Sequence, residues 1–595
     1  MRNVGWTLLL VVCLAGCGGG TPPAGVAPKV YRHSMDGAPG SLDPARATSI
    51  YANFLALNLF DTLYRYRYLA RPYELTPNLA AAMPEVSADG LSYTIRLKQG
   101  VRFIDDEAFP GGRGRELTAA DFVYSILRHF DPASLAQGAW LWQNRIEGLD
   151  DWKAAGSDYG RSVSGLRALD DHTVRIRLTR PFPQLLHTLA QGYAAVVPRE
   201  AVEYYGKEFS NHPVGSGPFR LVSIDSARAV LERNGEFRSE PFSLAAEGFD
   251  PATQSGLGLE RLEGASPPFV DRLRIEFIAE DAARWNAFIG GDVQFIKVPV
   301  TQFDRVLASR HPIRVAPDLE ASYRFEAFRE AGFVYTNFNL ADERIGYHPE
   351  PMRNERNRAL RCAIVKAFDW ERRNEVFYYG IGQVFPGIIP PVTAEFGAGN
   401  EDYVRRDLEG ARRLLAEHGW NADNLPVLEY GFPSNVTERQ MFEQFRGFMA
   451  DIGYPSDKVQ PLTFATFGDY NRAYSQGRVM LITSSWNMDF PDTENTMQLF
   501  YGPNGSPGSN SSNYNNPEYD ELYRRSAAMQ ASEERTEIYR EMNQLVMEDC
   551  ASISGITRTL LFLWDKDAVM LPDRSFVGGY FLRFVDVGRP STHGR

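Results

Sequence analysis

The 595-residue sequence predicts an α/β protein of two or three domains. Its length exceeds what one hydrophobic core supports. In some stretches apolar and polar residues alternate, as at Tyr93, Ile95 and Leu97, which is the period of a half-buried strand. In others apolar residues recur at helical spacing, as at Phe122, Ile126 and Phe130. The two patterns interleave along the chain, as an α/β fold requires.

The formal net charge is -12, spread along the chain rather than gathered in a tail. That balance disfavours nucleic acid or an anionic membrane surface as the main partner and suits a neutral or cationic ligand. At the N-terminus, Arg2 precedes an apolar run over 6–13 that is too short for a permanent membrane span. Leu14-Ala15-Gly16-Cys17 follows and resembles a bacterial lipobox. The motif implies a signal peptide over 1–16 and Cys17 as lipid anchor. The other reading is an ordinary cleaved signal peptide that happens to contain a cysteine. Small and Pro-containing residues over 17–28 suit a flexible tether. Of the remaining cysteines, Cys362 sits in a helical pattern and reads as a small buried hydrophobe. An exported compartment also permits a bond to Cys550.

In order, the chain predicts a short strand from Lys29, then Ser41-Leu42-Asp43-Pro44, then a helix within 50–64. Asp89-Gly90 leads into a hairpin strand over 92–97, and 100–103 continues the sheet. Thr118 with Asp121 forms a helix cap. The turn at Asp170-Asp171 opens an alternating strand to Leu178. Residues 239–271, rich in Gly, Pro, Ser and Ala, read as a surface loop or lobe. Val404, Leu408, Ala411 and Leu415 share a helix face that Gly419 stops. Residues 434–453 form a second amphipathic helix with Met441, Phe445, Phe448 and Ile452 inward. The run Val479 to Ile482 reads as a buried strand. It ends in Ser485-Trp486-Asn487-Met488-Asp489-Phe490-Pro491-Asp492, an aromatic ring and a carboxylate that open into a polar loop over 501–516.

Six segments in order carry a specific resemblance: Ser41-Leu42-Asp43-Pro44, Phe60-Asp61-Thr62-Leu63, the stretch 100–103, Leu117 to Phe122, Asp171 to Leu178, and Val214-Gly215-Ser216-Gly217-Pro218-Phe219. Together they resemble the family 5 extracytoplasmic solute-binding proteins of ABC importers, the group of oligopeptide- and dipeptide-binding proteins. Segments 333–338, 357–370, 407–420 and 516–522 resemble the family's second half. Phe295 stands where the family commonly carries an acid.

The resemblance implies a periplasmic-binding-protein-like fold (class II, cluster C) of three lobes with a two-strand hinge. Lobe I would combine 29–73, 212–331 and 557–595, lobe II would be 74–211, and lobe III 332–556. Ligand would be buried as the lobes close. In peptide-binding members a Trp-x-x-Asp segment sets a carboxylate against the ligand's α-ammonium, and the matching residues are Trp486 and Asp489. Thr483 stands where oligopeptide binders often have an Arg toward the ligand carboxylate, and Asn487 where some carry a disulfide Cys. Longer or modified peptides, or non-peptide amines, therefore fit better than a strict dipeptide. Thr483, Asn487 and Met488 join the candidate site with Thr48 and Tyr51, whose loop matches a cleft-lining loop of relatives.

No nucleophile elbow, zinc-protease motif, Cys-x-x-Cys pair or phosphate-binding loop occurs, so no catalytic residue, metal or cofactor is assigned. The implied partners are a peptide or peptide-like solute, an ABC permease with its ATPase, and the membrane through the lipid. A monomer is expected. Within the binding class, metal chelates, sugars and opines are the alternative ligands, and a lipid-anchored sensor the alternative role.

Overall fold

The computed structural model describes residues 27–47, 49–572 and 578–588. Cys17 and Thr48 lie outside the described residues, as does the leader.

The strand predicted at the start, Val30–Met35, pairs in parallel with Arg272–Phe277. Arg228–Arg233 and Phe219–Ile224 complete that sheet antiparallel. A second four-stranded sheet runs Glu85–Val86, Ser92–Arg96, Thr173–Arg177, Leu166–Asp170, antiparallel throughout. Tyr93 and Ile95 point inward from it, as their alternation predicts. The helix Ala119–Leu127 begins at the predicted capping box, with Thr118 N–H donating to Asp121 Oδ2 at 2.8 Å. One continuous apolar core, from Tyr31 through Phe60, Ile95 and Phe122 to Trp564, joins the two sheets.

A separate core surrounds a six-stranded sheet in the order Gln383–Phe385, Ser552–Thr557, Gly332–Phe338, Leu481–Asn487, Leu428–Pro433, Val459–Phe464. The helices Leu408–Glu417 and Val436–Ala450 flank it. Phe445 and Phe448 bury their side chains there, as the stripe predicts, and Ile452 does so just past the helix end, while Met441 is buried outside that core.

The chain crosses between these bodies twice. Tyr323–Arg329 leads directly into Gly332–Phe338, and Ser552–Thr557 leads back into Thr559–Asp565. Thr559–Asp565 then lies between Phe295–Lys297 and Tyr323–Arg329 in a three-stranded sheet, so the C-terminal segment returns to the first body. The crossings are bonded to each other. Glu330 N–H donates to Arg558 O at 2.9 Å, Arg558 Nε to Glu330 Oε2 at 2.6 Å, and Thr557 Oγ1 to Gly332 O at 3.0 Å. Gly332 is required by close packing, because a Cβ there would stand 2.5 Å from Trp486 O.

Two expectations are corrected, the strand at 100–103 and the unpaired Cys362. Residues 100–103 form no strand, only a bridge between Arg102 and Glu116. Of the two readings of 239–271, loop or lobe, the structure shows the second: the segment makes the short helices Leu244–Glu247 and Pro251–Gln254 and packs back on the first body. The buried Glu247 there ion-pairs with Arg65 at 2.5 Å and accepts the Tyr68 N–H at 2.8 Å. Cys362 is not a free apolar filler but is disulfide-bonded to Cys550. The helix Pro351–Ala367 brings it beside the end of Glu533–Glu548, with Cα atoms 5.2 Å apart. Phe295, the departure from the family's acid, is buried and stacks on His33 at 4.8 Å.

Candidate functional site

Leu481–Asn487 lies between two neighbours in the six-stranded sheet, and its register places Trp486 opposite Phe333. Met488 N–H donates to Ala331 O at 2.9 Å, carrying the pairing one step past the strand, and the Met488 side chain is buried. Asp489 follows at the mouth of the next loop.

A residue that sequence reasoning missed organises this corner. Asn495, buried in the one-turn helix Glu494–Met497, accepts the Trp486 indole Nε1–H at 2.8 Å and the Asp489 N–H at 3.1 Å on its Oδ1. Its Nδ2 donates to Asp489 Oδ2 at 3.0 Å. The structure thus brings Trp486 and Asp489 together through one amide. Asn495 carries no sequence signal of this role, since a polar residue six positions past Asp489 reads as loop.

The Asp489 carboxyl is half-buried and so partly withdrawn from water. Burial raises its pKa above the usual Asp value, and the Asn495 hydrogen bond offsets part of that rise. Among the described residues no Arg, Lys or His stands within ion-pair distance of it. Asp492, three positions on, contrasts with it: Arg535 neutralises that carboxylate at 3.0 Å and also reaches Glu395 at 3.4 Å. A partly withdrawn carboxylate without a cation, beside a neutralised one, can pair with an external cation, because a paired charge offsets the cost of desolvation.

The other wall of the corner comes from the first body. Gln191 Nε2 donates to Asp489 O at 2.9 Å, and the Tyr193 hydroxyl is pushed up by burial and by the Asp489 charge. Phe490 stacks on His187 at 5.7 Å, and burial lowers that imidazole to about 4. Gly192, between Gln191 and Tyr193, packs against Asn53, which donates to Ala47 O and Ser49 O on either side of Thr48. Gln191 and Tyr193 were not read from the sequence, because their partner is about 300 residues away along the chain.

The other candidates are placed as follows. Tyr51 is half-buried over Gly37, and its hydroxyl is raised by burial and by a hydrogen bond to Asp36, so that bond and not Asp489 engages it. Asn487 is exposed at the strand end, with its Oδ1 beside Gly332. Thr483 is buried, donating to Tyr430 OH at 2.7 Å and paired with Thr336 Oγ1 at 3.0 Å. It lines a cavity of about 360 Å³ between the two bodies, walled by Phe303 on one side and Met441, Phe467 and Tyr470 on the other. Ser485 lines the same cavity, so the space adjoins the strand Leu481–Asn487 that leads to Asp489.

Residues 74–508 match the family model described as bacterial extracellular solute-binding proteins, family 5, and the chain belongs to that family. The dipeptide-binding protein of Escherichia coli is 24% identical over 91% of each chain. Heme-binding protein A of Haemophilus influenzae is 24% identical over 80% of this chain and 77% of its own. Among solved structures, HbpA2 from Haemophilus parasuis superposes with a TM-score of 0.73 at 18% identity, covering 94% of this chain and all of that one (100%). The periplasmic binding protein DppA from Helicobacter pylori, in complex with the peptide STSA, gives 0.66 at 19% identity, covering 94% and 98%. These likenesses establish the α/β periplasmic-binding-protein-like fold. The matching family is one of solute-binding proteins rather than enzymes, and its description places its members outside the cytoplasm. No helix among the described residues is long and apolar enough to cross a membrane.

Proposed function

We propose that this protein is the extracytoplasmic capture subunit of an ABC importer, held to a membrane by lipid on Cys17. It takes a peptide or peptide-like amine into the cleft between its two bodies and delivers it to a permease. The observation that carries the ligand class is the partly withdrawn Asp489 carboxylate, oriented by Asn495 and lacking a cation. A peptide of any sequence offers one constant cation, its α-ammonium, and a charge-assisted contact to it contributes about 1.5–3 kcal/mol. The Arg that relatives use toward a ligand carboxylate is replaced by Thr483, whose hydroxyl is engaged inside the sheet. Trp486 and Asp489 anchor the amine, with Asn487 and the loop at Thr48 and Tyr51 beside it. The division into lobes I, II and III follows the boundaries read from the sequence, and a monomer suffices for the task.

Calorimetry with an amine-bearing tetrapeptide and its N-acetylated form tests the reading. The free amine binds, and acetylation weakens it tenfold or more. Equal affinity for the two forms sinks the assignment of Asp489 as an amine anchor. Native mass spectrometry of the purified protein identifies what the cleft retains.

A further inference from the structure

The cavity of about 360 Å³ beside Ser485 holds a charge that the amine anchor leaves unexplained. Glu438, in the first turn of Val436–Ala450, lines it from one body, and Lys297 lines it from the other. Among the described residues no hydrogen bond or ion pair holds the Glu438 carboxylate. It is half-buried, and burial raises its pKa. Arg373, whose field offsets part of that rise, hydrogen-bonds only neutral acceptors, Gln444 Oε1 at 2.6 Å and Met441 O at 3.0 Å, and makes no ion pair with Glu438.

The cavity's own cations are poorly placed to neutralise Glu438 or to demand an anion. Lys297 is exposed at the rim, where water serves it, and Arg558 is bonded to Glu330 at 2.6 Å. The remaining wall mixes aromatic rings with aliphatic and hydroxyl side chains. The Tyr378 and Tyr470 hydroxyls both feel the Glu438 charge, and Phe467 stands at the mouth with 60% of its surface exposed. A carboxylate flanked by aromatic faces is a receptor for an ammonium or guanidinium group. The cavity reaches toward the amine anchor through Ser485, which lines it and from which the chain to Asp489 spans at most about 13 Å when extended. That is the reach of a short peptide.

We propose that Glu438 forms a second cation subsite, so that the cleft selects peptides or peptide-like amines carrying a basic side chain in addition to the terminal amine. The proposal rests on the reading of Asp489 as the amine anchor. It makes the cleft doubly anionic, in keeping with the net charge of the chain and with the absence of Arg at Thr483.

The test uses the full chain and tetrapeptides of alanine with a free amine, carrying lysine or its uncharged isostere norleucine at position 2, 3 or 4. The expected result by calorimetry is a lysine peptide that binds tenfold or more tighter than its norleucine counterpart at one position at least. Glu438→Gln is expected to bring that ratio close to one. The proposal is overturned if no lysine position gains, or if the preference survives in Glu438→Gln. It is also overturned if Glu438 serves instead as a closing partner of Lys297, in which case Lys297→Met and Glu438→Gln each weaken lysine and norleucine peptides alike. Failure of every peptide to bind wild type is a different outcome, which removes the amine reading itself and this inference with it.

Discussion

Asn495 holds Asp489 at both ends of its amide, Oδ1 accepting the Asp489 backbone N–H at 3.1 Å and Nδ2 donating to the carboxylate at 3.0 Å. The same Oδ1 accepts from Trp486, so one side chain sets the position of ring and acid together. Asp489→Asn keeps the shape and removes the charge. It is expected to weaken an amine-bearing ligand by about 10- to 100-fold, the equivalent of a lost charge-assisted bond. Asn495→Ala, which leaves the charge and frees its orientation, costs less, about 3- to 10-fold. Calorimetry of the two variants side by side checks the order, and a larger loss in Asn495→Ala would contradict it.

The raised pKa of Asp489 makes binding pH-dependent. Burial is the main cause, so its folded pKa lies above its unfolded one. The unliganded fold is therefore favoured by protonation of this group, and that contribution is lost as pH rises through the folded pKa. An ammonium ligand needs the ionised form. Affinity is expected to fall as pH drops through the raised value, at a higher pH than an ordinary Asp would show. Asn495→Ala removes the hydrogen bond that lowers the pKa, so its midpoint shifts further up. A pH profile unaffected by Asn495→Ala, with both midpoints the same, argues against this account.

The disulfide between Cys362 and Cys550 closes a loop with a sequence separation of 188 residues. Cys362→Ser with Cys550→Ser is expected to lower stability by about 2–5 kcal/mol. Denaturant unfolding of the oxidised protein and the double variant measures it. Equal midpoints would mean that the unfolded chain gains nothing from release of the loop.

Gly332→Ala places a methyl group against the Trp486 carbonyl, which a Cβ would approach to 2.5 Å. The neighbour is backbone in a sheet and cannot swing aside, so a destabilisation of about 1–3 kcal/mol is expected. Thermal unfolding reads it, with tryptophan fluorescence reporting displacement of Trp486. A wild-type melting curve would show that the crossing has slack.

Cys17→Ser is expected to release the protein from the membrane fraction of the cell that makes it. Fractionation and immunoblotting decide, and a variant that stays with the membrane is held by something other than lipid on Cys17.

Local patterns were legible in the sequence wherever local physics decides them. The stripe Met441, Phe445, Phe448 gave the helix Val436–Ala450, and Thr118 with Asp121 gave the start of Ala119–Leu127. The candidate site was legible only in its outline. Trp486 and Asp489 could be picked out, but Asn495 could not, because a buried amide in a single turn leaves no periodic trace. Gln191 and Tyr193 meet Asp489 only through the packing of two bodies, and the Cys362–Cys550 pair likewise depends on helices far apart in the chain. Glu438 was not singled out on the helix read from its apolar stripe, and its missing partner is visible only in three dimensions. The expected strand at 100–103 failed because a short apolar run can satisfy its core contacts from a loop: Val101 and Phe103 are buried without a ladder.

Glu330 and Arg558 bind each other through backbone and side chain where the chain crosses between bodies. Two strands fastened side by side in this way cannot slide past one another, and bending or twisting of the pair is the motion left to them. Closure of the proposed cleft would then have to run through a bend or twist of this pair. A pair of fluorescent labels placed on opposite lips, far from the ligand, would follow that motion by energy transfer, and the protein could be converted into an optical reporter of what it binds.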